Sequence, residues 1–241
     1  MESTQTLQHM QSLRLHGMRR ALENLIETRQ WQKLETGQVL QLLLQSEYDE
    51  RHNRKITRLT HAARFRYQAN IEEVEYKEDR NLSKAQLADL SACTWVRNAE
   101  NLIICGSTGV GKSFLASALG HHACRNNYRV AYFNTQKLFQ KLALSRLDGT
   151  RHKEISRIGK MDLLVLDDFG LHTLDDTQRM DLLEIIEDRH GKQSTLITSQ
   201  LPVKNWYDVI GEPTLADAIM DRILNQAIRI ELKGESLRKK K

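Results

Sequence analysis

The chain reads as an α/β protein, a parallel sheet with helices on both faces, preceded by a smaller all-helical segment. Three observations predict this. From about residue 98, short apolar runs alternate with stretches at helical spacing, the pattern of strands joined by crossover helices. Before that point, apolar residues recur at helical spacing. Only two prolines, Pro202 and Pro213, punctuate 241 residues, so long helices are permitted.

Residues 1–75 are expected to form the helical domain. Met18, Leu22, Leu25 and Ile26 make one apolar stripe. Val39, Leu40, Leu43 and Leu44 begin a second helix that runs into basic sequence. Residues 76–97 serve as linker and short helix. The highly charged stretch 71–80 leads to Ser83, which with Gln86 makes a capping box. The α/β domain then covers 98–241. Asn101–Cys105 is its first strand, and a helix follows from Phe114 with Leu115, Ala118, Leu119 and His122 at helical spacing. Arg129–Phe133 is the second strand and Gln136–Ser145 a helix, with Leu138 and Leu142 turned to the core. A basic helix around Lys153–Lys160 follows the Asp148-Gly149 turn. Leu163–Leu166 is the third strand, Asp175–His190 a helix and Ser194–Ser199 the fourth strand. Thr214–Gln226 is a helix and Ala227–Leu232 the fifth strand.

Composition narrows the function classes. No apolar run approaches the roughly 20 residues of a membrane span, and no secretory signal is visible at the N-terminus. The three cysteines, Cys93, Cys105 and Cys124, are isolated and odd in number. They suggest neither a disulfide framework nor a metal cluster, and fit a cytoplasmic protein. Cys105, inside an apolar run, reads as packing.

Between the first strand and its helix lies Gly106-Ser-Thr-Gly-Val-Gly-Lys-Ser113, which fits the phosphate-binding P-loop. Gly106 and Gly111 let the backbone approach a phosphate closely. Ser107, Thr108, Gly109 and Val110 supply inward N–H groups, and Phe114 opens the helix whose positive end faces the anion. Lys112 reaches the β- and γ-phosphates, and the Ser113 hydroxyl is a ligand for Mg²⁺. ATP with Mg²⁺ is the cofactor pair this implies. A ligand there also suits the architecture, since such sheets bind at the carboxyl ends of their strands.

The strand Leu163–Leu166 ends in Asp167 and Asp168. Two carboxylates on a buried strand are costly without a cation or water. Asp167 is assigned to Mg²⁺ and Asp168 to polarising the attacking water. Thr198, Ser199 and Gln200 end the following strand, and one of them is a sensor of the γ-phosphate or water. As composition alone, Arg222 is a helix arginine, solvated or paired with Asp217 or Asp221.

Charge is unevenly spread. Net charge is +5, yet residues 51–66 hold six Lys/Arg and no acid, and residues 134–160 hold seven against two acids. The tail ends in Arg238–Lys241. Three basic segments suggest a polyanion partner.

These motifs together resemble a family. Gly106–Ser113, Asp167-Asp168-Phe169-Gly170, Ile197–Gln200 with Leu201-Pro202, and Asp221-Arg222-Ile223-Leu224 are similar to AAA+ ATPases of the DnaA/DnaC clade. Leu15–Glu23, Ala63–Arg66 and Gly234–Arg238 resemble more closely the IstB-type ATP-binding helper proteins of bacterial insertion sequences. The resemblance runs the whole length. It implies an AAA+ core with strand order 5-1-4-3-2 and no C-terminal helical lid. Arg222 matches the arginine finger acting on a neighbour's ATP, which requires a homo-oligomer. Asp168 stands where many relatives carry Glu, and Gln200 where they carry Asn or Asp. Arg238 is a candidate nucleotide contact in place of a lid arginine. The clade also implies a DNA channel lined by residues 136–160, with Lys137, Lys141, Arg146, Arg151, Lys153 and Arg157 as phosphate contacts, non-specific in sequence.

The function these features imply is an ATPase that assembles on double-stranded DNA and assists a cognate transposase, with no membrane partner. A replicative helicase loader of the DnaC/DnaI type shares the motifs and is the alternative. A small-molecule kinase is disfavoured by the paired acids and the basic insertion. The role of the basic helix 51–66 is open between DNA, a neighbouring subunit and the transposase.

Overall fold

A computed structural model describes residues 2–237, so the basic tail from Arg238 to Lys241 lies outside the described residues. The chain forms two compact units, Met1–Arg58 and Leu59–Lys241. The sequence places the domain boundary at 75, but the division falls seventeen residues earlier, inside a helix. The reason is packing. Ala63, Ala69, Val74, Leu82, Leu87 and Leu90 are buried in the same core as the sheet strands, so the charged stretch 71–80 is not a free linker.

The first unit contains α1 (Glu2–Ser12), α2 (His16–Glu27) and most of α3 (Thr36–Ala63). The stripe read from Met18 to Ile26 falls on α2, where Leu25 is buried. Glu47 of α3, itself buried, accepts hydrogen bonds from the amides of Gly17 (2.7 Å) and Met18 (3.2 Å). Those are orphan donors of a helix start. A Cβ on Gly17 would stand 2.3 Å from the Ser46 carbonyl oxygen, which explains glycine at this helix crossing. Leu43 is buried, whereas Leu40 and Leu44 are exposed, so only part of the second expected stripe packs.

The second unit continues with α4 (Lys84–Ser91), α5 (Thr94–Arg97), β1 (Leu102–Gly106), α6 (Lys112–Arg125), β2 (Val130–Asn134), α7 (Thr135–Leu147) and α8 (Arg151–Gly159). It ends with β3 (Leu163–Phe169), α9 (Asp176–Arg189), β4 (Ser194–Ser199), α10 (Trp206–Ile210), α11 (Pro213–Leu224) and β5 (Ile228–Leu232). The Ser83–Gln86 capping box starts α4 as expected. The strands pair in parallel in the order β2-β3-β4-β1-β5, which is the implied 5-1-4-3-2 order read from the other edge. Two apolar layers cover the two faces. Leu102, Ile104, Val165 and Leu196 point to one, with α6 and the 63–96 segment; Ile103, Leu164, Leu166 and Ile197 point to the other, with α7–α11. That alternation is the strand period of two. Leu138 and Leu142 are fully buried, as expected of core positions. Buried Cys105 is also packing, and burial pushes its thiol up to about 11.

Among the described residues no α-helix follows β5. The segment after it crosses the P-loop instead, with the Leu237 amide donating to the Gly109 carbonyl at 3.0 Å. No described helix is long and apolar enough to cross a membrane.

Candidate nucleotide site

The loop from Gly106 to Gly111 joins β1 to α6, the strand–loop–helix context a phosphate cradle needs. Gly106 has φ +148, and a Cβ there would lie 2.3 Å from the Leu232 carbonyl oxygen of neighbouring β5. Gly111 caps α6 with φ +95, a left-handed conformation that favours glycine. The Val110 carbonyl, deep under the loop, accepts from the Arg80 guanidinium at 2.5 Å, so the 71–80 stretch braces the loop from behind. Lys112 is buried, and its ammonium donates to the carbonyls of Gly106 (2.8 Å) and Ser107 (2.9 Å).

Asp167 sits at the end of β3 with no exposed surface. Its Oδ1 accepts from Ser113 Oγ (2.8 Å) and Thr198 Oγ1 (2.6 Å), and its Oδ2 from Tyr132 Oη (2.6 Å) and Arg66 Nη1 (3.0 Å). Four partners compensate a carboxylate removed from water. Burial, then the Asp167 charge, pushes the Tyr132 phenol upward, so this hydroxyl is a fixed donor.

Strand alternation alone would send Asp167 and Asp168 to opposite faces. The structure avoids that with a register shift between Leu166 and Phe169 and φ +59 at Asp168. A bulge of this sort re-aims a side chain. Asp168 Oδ2 therefore reaches the same Arg66 guanidinium at 2.8 Å, and also accepts from Asn134 Nδ2 at 3.4 Å. The Asp168 amide donates to Thr198 Oγ1 at 3.0 Å.

The sequence leaves three sensor candidates open, and the strand period separates them. Thr198 bonds Asp167 and the Asp168 amide. Gln200 Oε1 accepts from Thr108 Oγ1 of the loop at 2.7 Å and lines the cavity beside it. Ser199, expected among the sensor residues, does not face that cavity. Its hydroxyl donates to the Phe169 carbonyl at 2.8 Å and accepts from the Leu201 amide. That role is corrected to closing the β3–β4 end.

A cavity of about 390 Å³ lies over the loop, lined by Tyr67, Thr108, Gly109, Lys112, Ser113, Phe114, Asp168 and Gln200. A second cavity adjoins it between Val74, Arg80, Leu82, Phe114, Leu115 and Leu237. The donor set fits Mg²⁺ chemically: a carboxylate and a hydroxyl are hard oxygen ligands, and Arg66 already supplies a positive charge at the acid pair.

Two expectations depart from the geometry. Arg222 pairs with Glu187 of α9 and donates to the Ala218 carbonyl (2.8 Å), not with Asp217 or Asp221. Its carbonyl accepts from Asn101, just before β1, whereas the P-loop follows the other end of that strand, roughly 16 Å away. The structure does not bring Arg222 to this chain's own loop. The basic insertion is also largely spent inside the chain. Lys141 and Arg157 both pair with Glu154 (2.5 and 3.0 Å), and Arg146 and Arg151 share buried Asp181 (2.6 Å each). Arg151 also reaches Glu184. Lys137 and Lys153 are exposed and have no ion pair among the described residues. Arg238 lies outside the described residues.

Arg66 is a site residue that sequence reasoning misses. The signal is the Ala63–Arg66 stretch, but a basic count cannot tell which arginine turns inward. Here Phe65 fills the space beside Gly120, whose Cβ would meet its ring at 2.4 Å, and it packs on His121 with ring centroids 4.1 Å apart. The Tyr67 carbonyl is 3.1 Å from His121 Nε2. Both neighbours are thus anchored on α6, which aims the residue between them at the acids. Burial opposes the charge of Arg66, but its hydrogen bonds to Asp168 and Asp167 outweigh that and hold its pKa above the ordinary value.

Comparison with known proteins identifies the family and the fold. The model of the family described as IstB-like ATP binding protein matches residues 8–241. A Sinorhizobium fredii protein, y4pL, named as a putative insertion sequence ATP-binding protein, is 46% identical over 235 residues, covering 97% of this chain and 96% of its own. The crystal structure of the DnaC helicase loader superposes with TM-score 0.57 at 25% identity, over 69% of this chain and 98% of that one. AMPPCP-bound DnaA from Aquifex aeolicus shares the fold, with TM-score 0.60 at 20% identity over 71% of this chain and 52% of its own. With an AAA+ core of the DnaA/DnaC kind and a match over nearly its full length, the chain belongs to the IstB-like ATP binding protein family.

Proposed function

We propose that this protein is a cytoplasmic, Mg²⁺-dependent ATPase that assembles with copies of itself on duplex DNA and assists a partner transposase in target selection. The observation that carries the reading is the Ser113–Asp167 contact at 2.8 Å, with Asp168 turned beside it under the P-loop. The phosphates bind the loop amides and Lys112. Ser113 and Asp167 would hold Mg²⁺, which would supply positive charge against the β- and γ-phosphates. Asp168 accepts a proton from, or orients, the attacking water. Thr198 keeps the two acids in register, and Gln200 faces the loop's Thr108. The apolar cavity by Val74, Phe114 and Leu115 suits a nucleobase.

ATP sharing between subunits rests on Arg222, which lies away from its own loop and would have to exchange its Glu187 partner to reach a neighbour's nucleotide. Duplex binding rests on the exposed lysines of the insertion, Lys137 and Lys153, and on the family's association with insertion sequences. The test is ATP turnover and DNA association of the full chain at low salt. Turnover in wild type with loss of about 100-fold or more in Asp168→Asn, and ATP-dependent DNA binding, are expected. ATP-loaded protein that ignores duplex DNA would sink the reading. Pull-down against a transposase and a replicative helicase separates the helper from the loader.

A further inference from the structure

We propose that Arg66 is an in-built cation of the nucleotide site that competes with the divalent metal for the Asp167–Asp168 pair, so that metal entry and release of the guanidinium are one event. The inference rests on the proposed Mg²⁺-ATP reading and deepens it.

Three features carry it. First, one guanidinium nitrogen, Arg66 Nη1, bridges both acids, at 3.0 Å to Asp167 Oδ2 and 2.8 Å to Asp168 Oδ2. The guanidinium therefore faces two like charges at once, and its own charge offsets their mutual repulsion. Second, the contact is built rather than incidental. Phe65 in the Gly120 notch and the Tyr67 carbonyl on His121 fix the backbone on either side. The Arg66 guanidinium also stands 5.5 Å from the Tyr67 ring centroid, a cation–π distance. Tyr67 in turn lines the cavity over the loop. Third, each carboxylate oxygen of Asp167 already accepts two hydrogen bonds. Asp167 Oδ1 is taken by Ser113 and Thr198 and its Oδ2 by Tyr132 and Arg66. A metal ion that takes its ligands at about 2.0–2.1 Å must displace a donor, and the charged one is the donor it repels. Asp181 shows the contrast. It holds two arginines, but no P-loop hydroxyl shares it.

The experiment titrates Mn²⁺ onto nucleotide-free full-length protein and follows the free-ion EPR signal. Wild type, Arg66→Gln, Arg66→Lys and the double variant Arg66→Gln/Asp167→Asn are compared, with circular dichroism as the folding check. Arg66→Gln should bind Mn²⁺ at least about tenfold more tightly than wild type, the effect of removing a unit charge a few ångströms away at intermediate screening. Arg66→Lys, which keeps the charge, should stay within about threefold of wild type. The double variant should lose the gain, which locates the ion on the acid pair. A merely structural arginine predicts no gain, or a loss. Absence of the gain in folded Arg66→Gln overturns the proposal, whether both proteins bind or neither does. So does a gain that survives Asp167→Asn. A fluorescent ATP analogue bound by wild type and lost in Lys112→Ala tests the nucleotide reading separately; its failure there is not a failure of the Mn²⁺ comparison.

Discussion

The P-loop with its acid pair and the basic helices α7–α8 both concentrate charge, and they spend it in opposite ways. Around the loop, cationic and anionic groups converge from elements far apart in sequence. Arg66, Ser113, Tyr132 and Thr198 all donate to Asp167, while Lys112 donates to carbonyls of the loop itself. In α7–α8 the cations are matched locally or by α9, through Glu154, Asp181 and Glu184. A motif of fixed spacing carries its geometry in the backbone, so it survives folding unchanged. A charge count does not, because it omits the acids that a neighbouring helix will bring. The basic insertion is therefore in large part a strut, with Lys137 and Lys153 among its solvent-facing charges.

This contrast can be broken at several points. The largest effect should come from Lys112→Ala, which should weaken nucleotide binding roughly 100-fold by removing a charge-assisted donor; calorimetry with a non-hydrolysable analogue reads it, and near-normal affinity would remove the loop from its assigned role. On the other side of the comparison, Arg151→Ala should lower stability by about 2 kcal/mol, since buried Asp181 keeps only Arg146. Urea denaturation measures this, and no loss would mean that the arginine is a free surface charge after all. Removing an exposed lysine should do the reverse. Lys137→Ala and Lys153→Ala should leave stability within about 0.5 kcal/mol. Each should also reduce the slope of log DNA affinity against log salt by about 0.9. Equal slopes in wild type and both variants would take the insertion off the DNA. The smallest effect concerns pH. Burial, outweighing the Tyr67 carbonyl, lowers the pKa of His121 below its ordinary 6.5. The unfolded chain therefore takes up the proton first as pH falls. The contribution of neutral His121 is complete above about 6.5 and is lost as pH falls through its folded value. Melting midpoints should fall on going from neutral to mildly acidic buffer, and His121→Asn should flatten that dependence.

How far the sequence reaches differs from residue to residue. The five strands and their connecting helices are legible because apolar runs and helical stripes are local patterns. The observed strand ends shift by a residue or so, except that β3 extends through Asp167 and Asp168 to Phe169. Gly106 to Ser113 and Asp167 are legible because the chemistry demands particular residue types at a fixed offset. Three things are not. The domain division lies at Arg58 and Leu59 and not at 75, since a charged surface on 71–80 hides the buried Val74 beneath it. Ser199 and Gln200 are adjacent, and only the direction of β4 says which faces the loop. Arg222 finds Glu187, an acid thirty-five positions back, and not the nearby Asp217 or Asp221.

By itself, then, the sequence determined that a phosphate loop precedes α6 and that an apolar strand delivers two acids to the same end of a parallel sheet. These follow from backbone conformation and from the cost of burying charge, which act within a few residues. Only the tertiary structure decided that both acids turn to one side, through the bulge at Asp168, and that Arg66 is the cation they meet. That pairing joins residues about a hundred positions apart. It exists because Phe65 and Tyr67 are held against α6, and no local rule of spacing encodes where that helix will stand.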